Sequence, residues 1–419
     1  MTRCSGSSEE RPRPSPSPSC GRASPQPDRQ ACVKNDQVIS PTAWFQNMIQ
    51  HCYQYAVEAK AQGRPIVGIL CEYTPRELIM AAGGVPVCLC GGSAEMIGPA
   101  EEHLPANLCP LIKSTYGYSV RQANPFLEMA DLIVAETTCD GKKKMYELLA
   151  QTRPVYVLDL PQKPTDSDAF EHWVREVRKL RAELERRFGI EITDEKIRQA
   201  IRTMNCERRL RRRLADLMRS EIPPLTGRQL LDFKSIISGI EADLEQYAKA
   251  IDLFSKIRSG NGMVRVLMTG VPTVHGAERA LDIIEASGGL VVCMDNCTGL
   301  KPIWDDVDES AQDPILALAE KYLRIPCSVM TPNDRRLDLI REMAKAYRPQ
   351  CIIDLIWQAC LTYDVESYRV KGLAQELGLP FLRIETDYSP SDSARIALRV
   401  EALFETVRQK DGGGRNTKG

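Results

Sequence analysis

The sequence predicts an α/β protein made of two Rossmann-like parallel-sheet halves, related by a weak internal repeat and joined by a helical segment. Three observations carry that expectation. Short Val/Ile/Leu-rich runs alternate with helix-forming stretches in two separate regions, the pattern of strands buried on both faces. The two regions repeat the same features in the same order. Between them lie long, charged, amphipathic stretches with helical spacing.

The elements follow in order. Residues 1–38 are rich in Ser, Pro and Arg (SSEERPRPSPSPS) and cannot bury enough apolar surface to offset chain entropy, so they are expected to be a disordered tail. Cys4, Cys20 and Cys32 lie in that tail and are set aside. The first α/β domain is placed at 39–165. A helix starts near Pro41, with Ser40 as cap and Trp44, Met48 and Tyr55 on one face. PIVGIL is a buried strand running into Cys71, and TPRELIMAAGG is a helix closed by Gly83 and Gly84. VPVCLC, DLIVAETTC (ending at Cys139) and PVYVLDLP are further strands. The helical segment is placed at 166–262, with three long helices, the last running through GRQLLDFKSIISGIEADLEQYAKAIDLFSKI. Its run Arg208–Arg213 (RRLRRR) reads as a solvated helix face or as an anion-docking patch. The second α/β domain, 263–419, carries strands VRVLMTG, LVVCMDN, CIIDLIWQAC and PFLRIET, and a last helix SARIALRVEALFETV.

Composition narrows the function. Among 419 residues, 43% are hydrophobic and 26% charged, with a net charge of -1, so no basic field invites nucleic acid or an anionic membrane. No apolar run has the length of a membrane span, and no secretory signal is evident; a cytoplasmic location is expected. Fifteen cysteines then stand out, because disulfides are rare in a reducing compartment and cysteine enrichment there points to metal or redox chemistry. The bland alternative is that each free Cys packs as a small hydrophobe. Cys52, Cys206 and Cys351 are read that way.

Six cysteines separate from the rest by position. Each α/β region has a helix ending in Gly-Gly, a strand carrying a cysteine (GGVPVC, GGLVVC) and a later strand ending in one (LIVAETTC, CIIDLIWQAC). Cys109 precedes Cys139 by 30 residues and Cys327 precedes Cys360 by 33, and both earlier cysteines stand beside a proline. Cys71 completes the first set. Cys297, in CMDNCTG, substitutes for it in the second, with Cys293 in the same loop as the alternative. The sets are Cys71, Cys109 and Cys139, then Cys297, Cys327 and Cys360. Ligands in open α/β sheets bind outside the carboxyl ends of strands, so thiols one βα unit apart can converge there. Three thiolates from one edge would hold a cubane with one open iron, and two facing halves would bring two cubanes into one cleft. The only short pairs are Cys88/Cys90 and Cys293/Cys297; no His spacing supports a structural zinc site there, and neither pair has the two intervening residues of a thioredoxin-like dithiol.

The motifs CEYTPRELIMAAGGVPV, LCPLIKSTYGY, ETTCDGKKKMYELL, DNCTGLKP, PCSVMTPND, WQACLTYDVES and ETDYS occur in that order over about residues 40–408. Together they resemble the 2-hydroxyacyl-CoA dehydratase D-component family, which includes 2-hydroxyglutaryl-CoA dehydratase and benzoyl-CoA reductase subunits. The likeness is greatest to its double-cubane branch. That resemblance implies two 4Fe-4S units bridged by sulfide and held by Cys71, Cys109, Cys139, Cys297, Cys327 and Cys360. It also implies a homodimer, a small-molecule substrate, and a separate activator ATPase with its own 4Fe-4S cluster that delivers low-potential electrons. ATP would bind that activator, and this chain has no Walker glycine-rich run. Three functions stay open: an ATP-dependent reductase component, a 2-hydroxyacyl-CoA dehydratase subunit, and a non-catalytic electron store or cluster carrier.

Other residues have two readings each. Lys142, Lys143 and Lys144 follow Cys139 and could offset cluster charge, meet the activator or simply be solvated. Glu72 and Glu136 neighbour ligand cysteines and could move protons or only accept hydrogen bonds. Tyr116, Tyr118 and Tyr363 could hydrogen-bond cluster sulfur or pack. His275, Lys301 and Trp304 could line the cleft.

Overall fold

The computed structural model describes residues 40–258 and 262–413. The expected tail of residues 1–38 lies outside the described residues, as do Cys4, Cys20 and Cys32.

Eight strands form two separate four-stranded, all-parallel sheets. The first contains β1 (Ile66–Ile69), β2 (Val85–Cys88), β3 (Leu132–Glu136) and β4 (Val155–Leu158), in the order β2-β1-β3-β4. The second contains β5 (Val264–Gly270), β6 (Gly289–Met294), β7 (Cys351–Trp357) and β8 (Phe381–Thr386), in the order β6-β5-β7-β8. The repeat seen in the sequence is therefore a repeat of topology. In each sheet the chain steps outward from its first strand, then crosses to the other side. This puts a switch-point crevice between β1 and β3, and another between β5 and β7. Strands β1, β3, β6 and β7 are buried at every position, which is why they read as unbroken apolar runs.

Two sequence expectations are corrected. The strands expected to end at Cys139 and Cys360 stop three residues earlier, at Glu136 and Trp357. Both cysteines instead sit at the N-cap of the helix that follows, Asp140–Leu149 and Leu361–Glu376. Before Cys360 the chain turns through Ala359, a non-glycine residue at φ +60. The third long helix is also broken, into Gly227–Asp232 and Glu241–Phe254. The chain between them covers the open edge of β2: Cys88 N donates to Ile236 O at 2.8 Å, and Val87 pairs antiparallel with Ile237. An uncovered strand edge would leave those backbone groups unpaired. Gly239 turns the chain there at φ +79.

The two halves share their apolar interior. One core runs from Ile133 and Ala135 of β3 to Met268 of β5 and Leu355 of β7. Their loops also meet backbone to backbone. A Cβ on Gly92, after β2, would lie 2.2 Å from the carbonyl oxygen of His275, after β5. The arginine run of helix Asp194–Asp216 is a solvated face only in part, with Arg209 and Arg213 exposed and Arg208 and Arg211 buried. Arg208 is buried against Glu77 at 2.6 Å, Arg211 lies 3.6 Å from Glu207, and Arg209 and Arg212 both pair with Asp306. Among the described residues, no helix is long and apolar enough to cross a membrane.

Candidate functional site

Five of the six predicted sulfur donors lie just beyond a strand or at a helix start, and Cys327 lies in a loop between two helices. Cys71 follows Leu70, whose N–H still donates to Val134 O at the end of β1. Cys109, Cys139 and Cys360 are the N-cap residues of helices Pro110–Arg121, Asp140–Leu149 and Leu361–Glu376. Pro110 occupies the first helical turn after Cys109, where a missing N–H costs nothing. Cys297 sits in the turn after β6. There the Asn296 side chain accepts from the N–H groups of Thr298 and Gly299 and donates to Val271 O. Cys327 lies between helices Pro314–Leu323 and Asp334–Tyr347, where the Asn333 side chain donates to its carbonyl at 2.9 Å.

The structure brings the six together, but not in the two sets read from the repeat. Cys71 has Cys297 and Cys327 as its electrostatic neighbours, and those two neighbour each other. The Cys109 and Cys360 thiols share a hydrogen bond, and Cys139 neighbours both. Each trio thus draws on both sheets, and the pairing of Cys139 with Cys327 links them. Loops from the two halves meet near the site, as Gly92 after β2 and His275 after β5 do. Cys293, the alternative to Cys297, is 1% exposed in the apolar core beside Leu267, and burial pushes its thiol up. Cys52 and Cys351 are likewise buried core residues.

Cations surround the thiols. Lys142 turns inward and donates to Leu70 O at 2.6 Å, while Lys143 and Lys144 point outward to Asp140 and Glu147. Lys301, 3% exposed, donates to the Tyr363 hydroxyl at 2.7 Å and lies beside Cys297 and Cys327. Lys234 reaches Cys297 O at 2.9 Å and Glu72 at 3.1 Å. It comes from the break in the predicted helix, and sequence reasoning missed it. Burial pushes the Cys71 thiol far up, with Lys142 opposing this and Glu136, Cys297 and Cys327 adding to it. Cys109 is held low, first by its hydrogen bond with Cys360, which is pushed up in turn.

The carboxylates behave differently from one another. Burial would raise Glu72, but Arg76 and Lys234 outweigh it and hold the group at about 2. Glu136 is fully buried; burial pushes it up to about 7 against the pull of Lys142, and only one of its oxygens has a partner, the Thr74 hydroxyl. Tyr116 pairs with His103 at 2.9 Å. His275 is 63% exposed beside Glu278. Trp304 donates to Glu342.

Among the described residues, no three His, Cys, Asp or Glu side chains close tightly enough to hold a single metal ion. A polynuclear iron–sulfur group spreads its thiolates over several irons, so two looser sulfur trios with ammonium groups around them are compatible with it. Metal binding there would replace thiol protons, and the neighbouring lysines favour that loss.

Fold and site together define a class: a two-sheet α/β protein with a cysteine-lined site where loops from its two halves meet. The chain belongs to the 2-hydroxyglutaryl-CoA dehydratase D-component family, whose model matches residues 71–407. It is 39% identical over 374 residues to the putative dehydratase subunit YjiM of Escherichia coli (strain K12), spanning 87% of this chain and 97% of that protein. It is 24% identical over 374 residues to the (R)-phenyllactyl-CoA dehydratase beta subunit of Clostridium sporogenes, with the same coverage of each chain. Over 151 residues it is 26% identical to one subunit of the benzoyl-CoA reductase of Thauera aromatica, spanning 35% of this chain and 38% of that protein. The family likeness read from the motifs therefore holds.

Proposed function

We propose that this chain is the iron–sulfur component of an ATP-dependent, low-potential reductase that acts on a small substrate. One observation supports the reading: the six cysteines picked out in the sequence are electrostatic neighbours in two groups, Cys71 with Cys297 and Cys327, and Cys109 with Cys139 and Cys360. Cys71, Cys297 and Cys327 would hold one cubane of a sulfide-bridged pair, and Cys109, Cys139 and Cys360 the other. Bound there, such a group supplies one-electron chemistry at low potential. The protein's own residues set Cys109, Cys139 and Cys360 at helix N-cap positions, exclude water by burial, and hold Lys142, Lys234 and Lys301 as electrostatic neighbours of the sulfurs. ATP use and electron delivery belong, in this reading, to a separate activator ATPase with its own 4Fe-4S cluster.

Iron and acid-labile sulfide in protein purified without air test the proposal. About eight irons per chain are expected for two cubanes. Four or fewer in a fully loaded sample would falsify it.

A second reading, a 2-hydroxyacyl-CoA dehydratase subunit, is favoured by the relatives, two of which are dehydratase subunits by name. Assays with activator, ATP and 2-hydroxyacyl-CoA substrates separate the two. Dehydration that appears only with a second subunit supports the dehydratase.

A further inference from the structure

The two sulfur trios sit in unlike surroundings. The residues next to Cys71, Cys297 and Cys327 in the chain are buried: Leu70 at 1%, Glu72 at 8%, Asn296 at 0%, Thr298 at 8% and Ser328 at 9% exposure. Beyond Cys139 and Cys360 the chain reaches the surface at once. The Asp140 side chain is 94% exposed and Leu361 is 72% exposed. By these flanking residues the first trio is the inner one and the second the outer one, although the Cys109 thiol of the outer trio is itself buried, at 6% exposure.

The charges that face them differ too. The outer trio is held by helix N-termini. Backbone N–H groups of Leu111 and Ile112 point to Cys109, that of Lys142 to Cys139, and that of Tyr363 to Cys360. Each helix end supplies about half a positive charge at most. The inner trio is faced by whole ammonium groups. Lys301 is beside Cys297 and Cys327, and Lys234 is bonded to Cys297 O. Lys142 borders both trios, with neighbours Cys71 and Cys139. Of the nearby carboxylates, Glu72 pairs with Arg76 and Lys234 and offsets part of the Lys234 charge, while Asp295 is taken by Arg336 at 3.0 Å. Glu136, the remaining one, lies beside Cys71 and Lys142.

Lys301 is the decisive residue. Among the described residues its one hydrogen-bond acceptor is a neutral phenol, the Tyr363 hydroxyl, and its Nζ lies 5.3 Å from the centre of that ring. No carboxylate among the described residues is within ion-pair distance of it. A buried ammonium without a counter-charge is expensive, so this site is built to face an anion. The nearest candidates are the Cys297 and Cys327 sulfurs.

We propose that Lys301, helped by Lys234, is a positioning residue that makes the two ends of the cluster inequivalent, so that an added electron rests at the Cys71/Cys297/Cys327 end. This rests on the cluster reading above. One electron leaves an external low-potential donor, which is oxidised, and the inner end takes it up. Cluster potentials rise as positive charge approaches, so the ammonium stabilises the reduced form.

The test uses full-length, iron-loaded protein titrated without air, with titanium(III) citrate as donor. The Lys301→Met variant should keep its iron and show a midpoint potential shifted to more negative values. Lys301→Arg should restore the wild-type potential, and Lys234→Met should shift it in the same direction. Lys144→Met, which removes an exposed ammonium paired with Glu147, should shift nothing. In Mössbauer spectra of the one-electron-reduced wild type, the extra electron should sit on half of the irons, and in Lys301→Met it should spread. An unchanged potential in Lys301→Met at full iron content overturns the inference and leaves the cluster reading standing. If Lys301→Met fails to fold, an unchanged potential in Lys234→Met overturns it. Absence of iron from the wild type overturns the cluster reading itself.

Discussion

The Tyr73 hydroxyl donates to Ile325 O at 2.6 Å and accepts from Cys327 N at 3.4 Å. Tyr73 lies two residues past Cys71 and is fully buried. One phenol therefore ties the loop that ends β1 to the loop that carries Cys327, across more than 250 positions of chain. It sets the spacing of two sulfurs that come from different halves.

Replacing Tyr73 with Phe keeps the ring and removes that tie. Cys327 N still donates to Ile325 O at 2.9 Å, so neither group is left unpaired. A loss of about 0.5–1.5 kcal/mol is expected, the net contribution of one hydrogen bond. Denaturant unfolding of wild type and variant checks this. The variant should also lose iron faster to a chelator, because Cys327 is no longer held toward Cys71.

The sulfur set is checked one residue at a time. Serine at Cys71, Cys109, Cys139, Cys297, Cys327 or Cys360 should each lower the iron content. Serine at Cys351 should leave it near the wild-type value, since that thiol is buried in the apolar core at β7. Retention of full iron by any of the six single variants would remove that residue from the ligand set.

The Glu77–Arg208 pair joins the short helix after Cys71 to the helical segment, and Tyr322 from the second half donates to the same carboxylate at 2.7 Å. Arg208 is 2% exposed and Glu77 is 0% exposed. Glu77→Gln leaves a buried guanidinium without its counter-charge. The expected cost is about 3–5 kcal/mol. Thermal and denaturant unfolding should both show it, and a change of less than about 1 kcal/mol would place the pair outside the stabilising core.

His51 predicts a pH dependence away from the thiols. It stacks on Trp44 with ring centres 4.5 Å apart and lies 3.2 Å from Asp243, which also accepts from the Trp44 indole at 2.8 Å. The His51–Asp243 approach is an ion pair rather than a well-aligned hydrogen bond. Burial alone would lower the imidazole, but Asp243 and Cys52 outweigh it and raise it to about 9. Because the folded value is the higher one, the stabilisation is complete below the ordinary value near 6.5 and is lost as pH rises through about 9. Its size is on the order of 2 kcal/mol after solvent screening. Unfolding curves between pH 6 and pH 10 should show this decline in wild type, and a flatter profile in His51→Gln.

Strand positions were legible because strands buried on both faces must be apolar throughout, and a four-residue run such as β1 announces itself. The Gly-Gly helix ends were legible for a local reason too, since Gly83 and Gly288 both take positive φ. The long third helix was misread because Gly227–Phe254 keeps helical spacing, while the open edge of β2 claims its middle for backbone pairing. Lys234 was missed with it. The arginine run was only partly legible because its partners, Glu77, Asp306 and Glu309, lie far off in sequence.

By itself the sequence determined the two parallel-sheet halves and the family, and it singled out six cysteines as candidates. These follow from hydrophobic period and local chain direction, which neighbouring residues control. Only the tertiary structure decided which thiols stand together, that Cys297 and not Cys293 joins them, and that Lys142, Lys234 and Lys301 face inward. Those outcomes depend on how loops from the two halves meet, and contacts made across hundreds of residues leave no periodic trace along the chain.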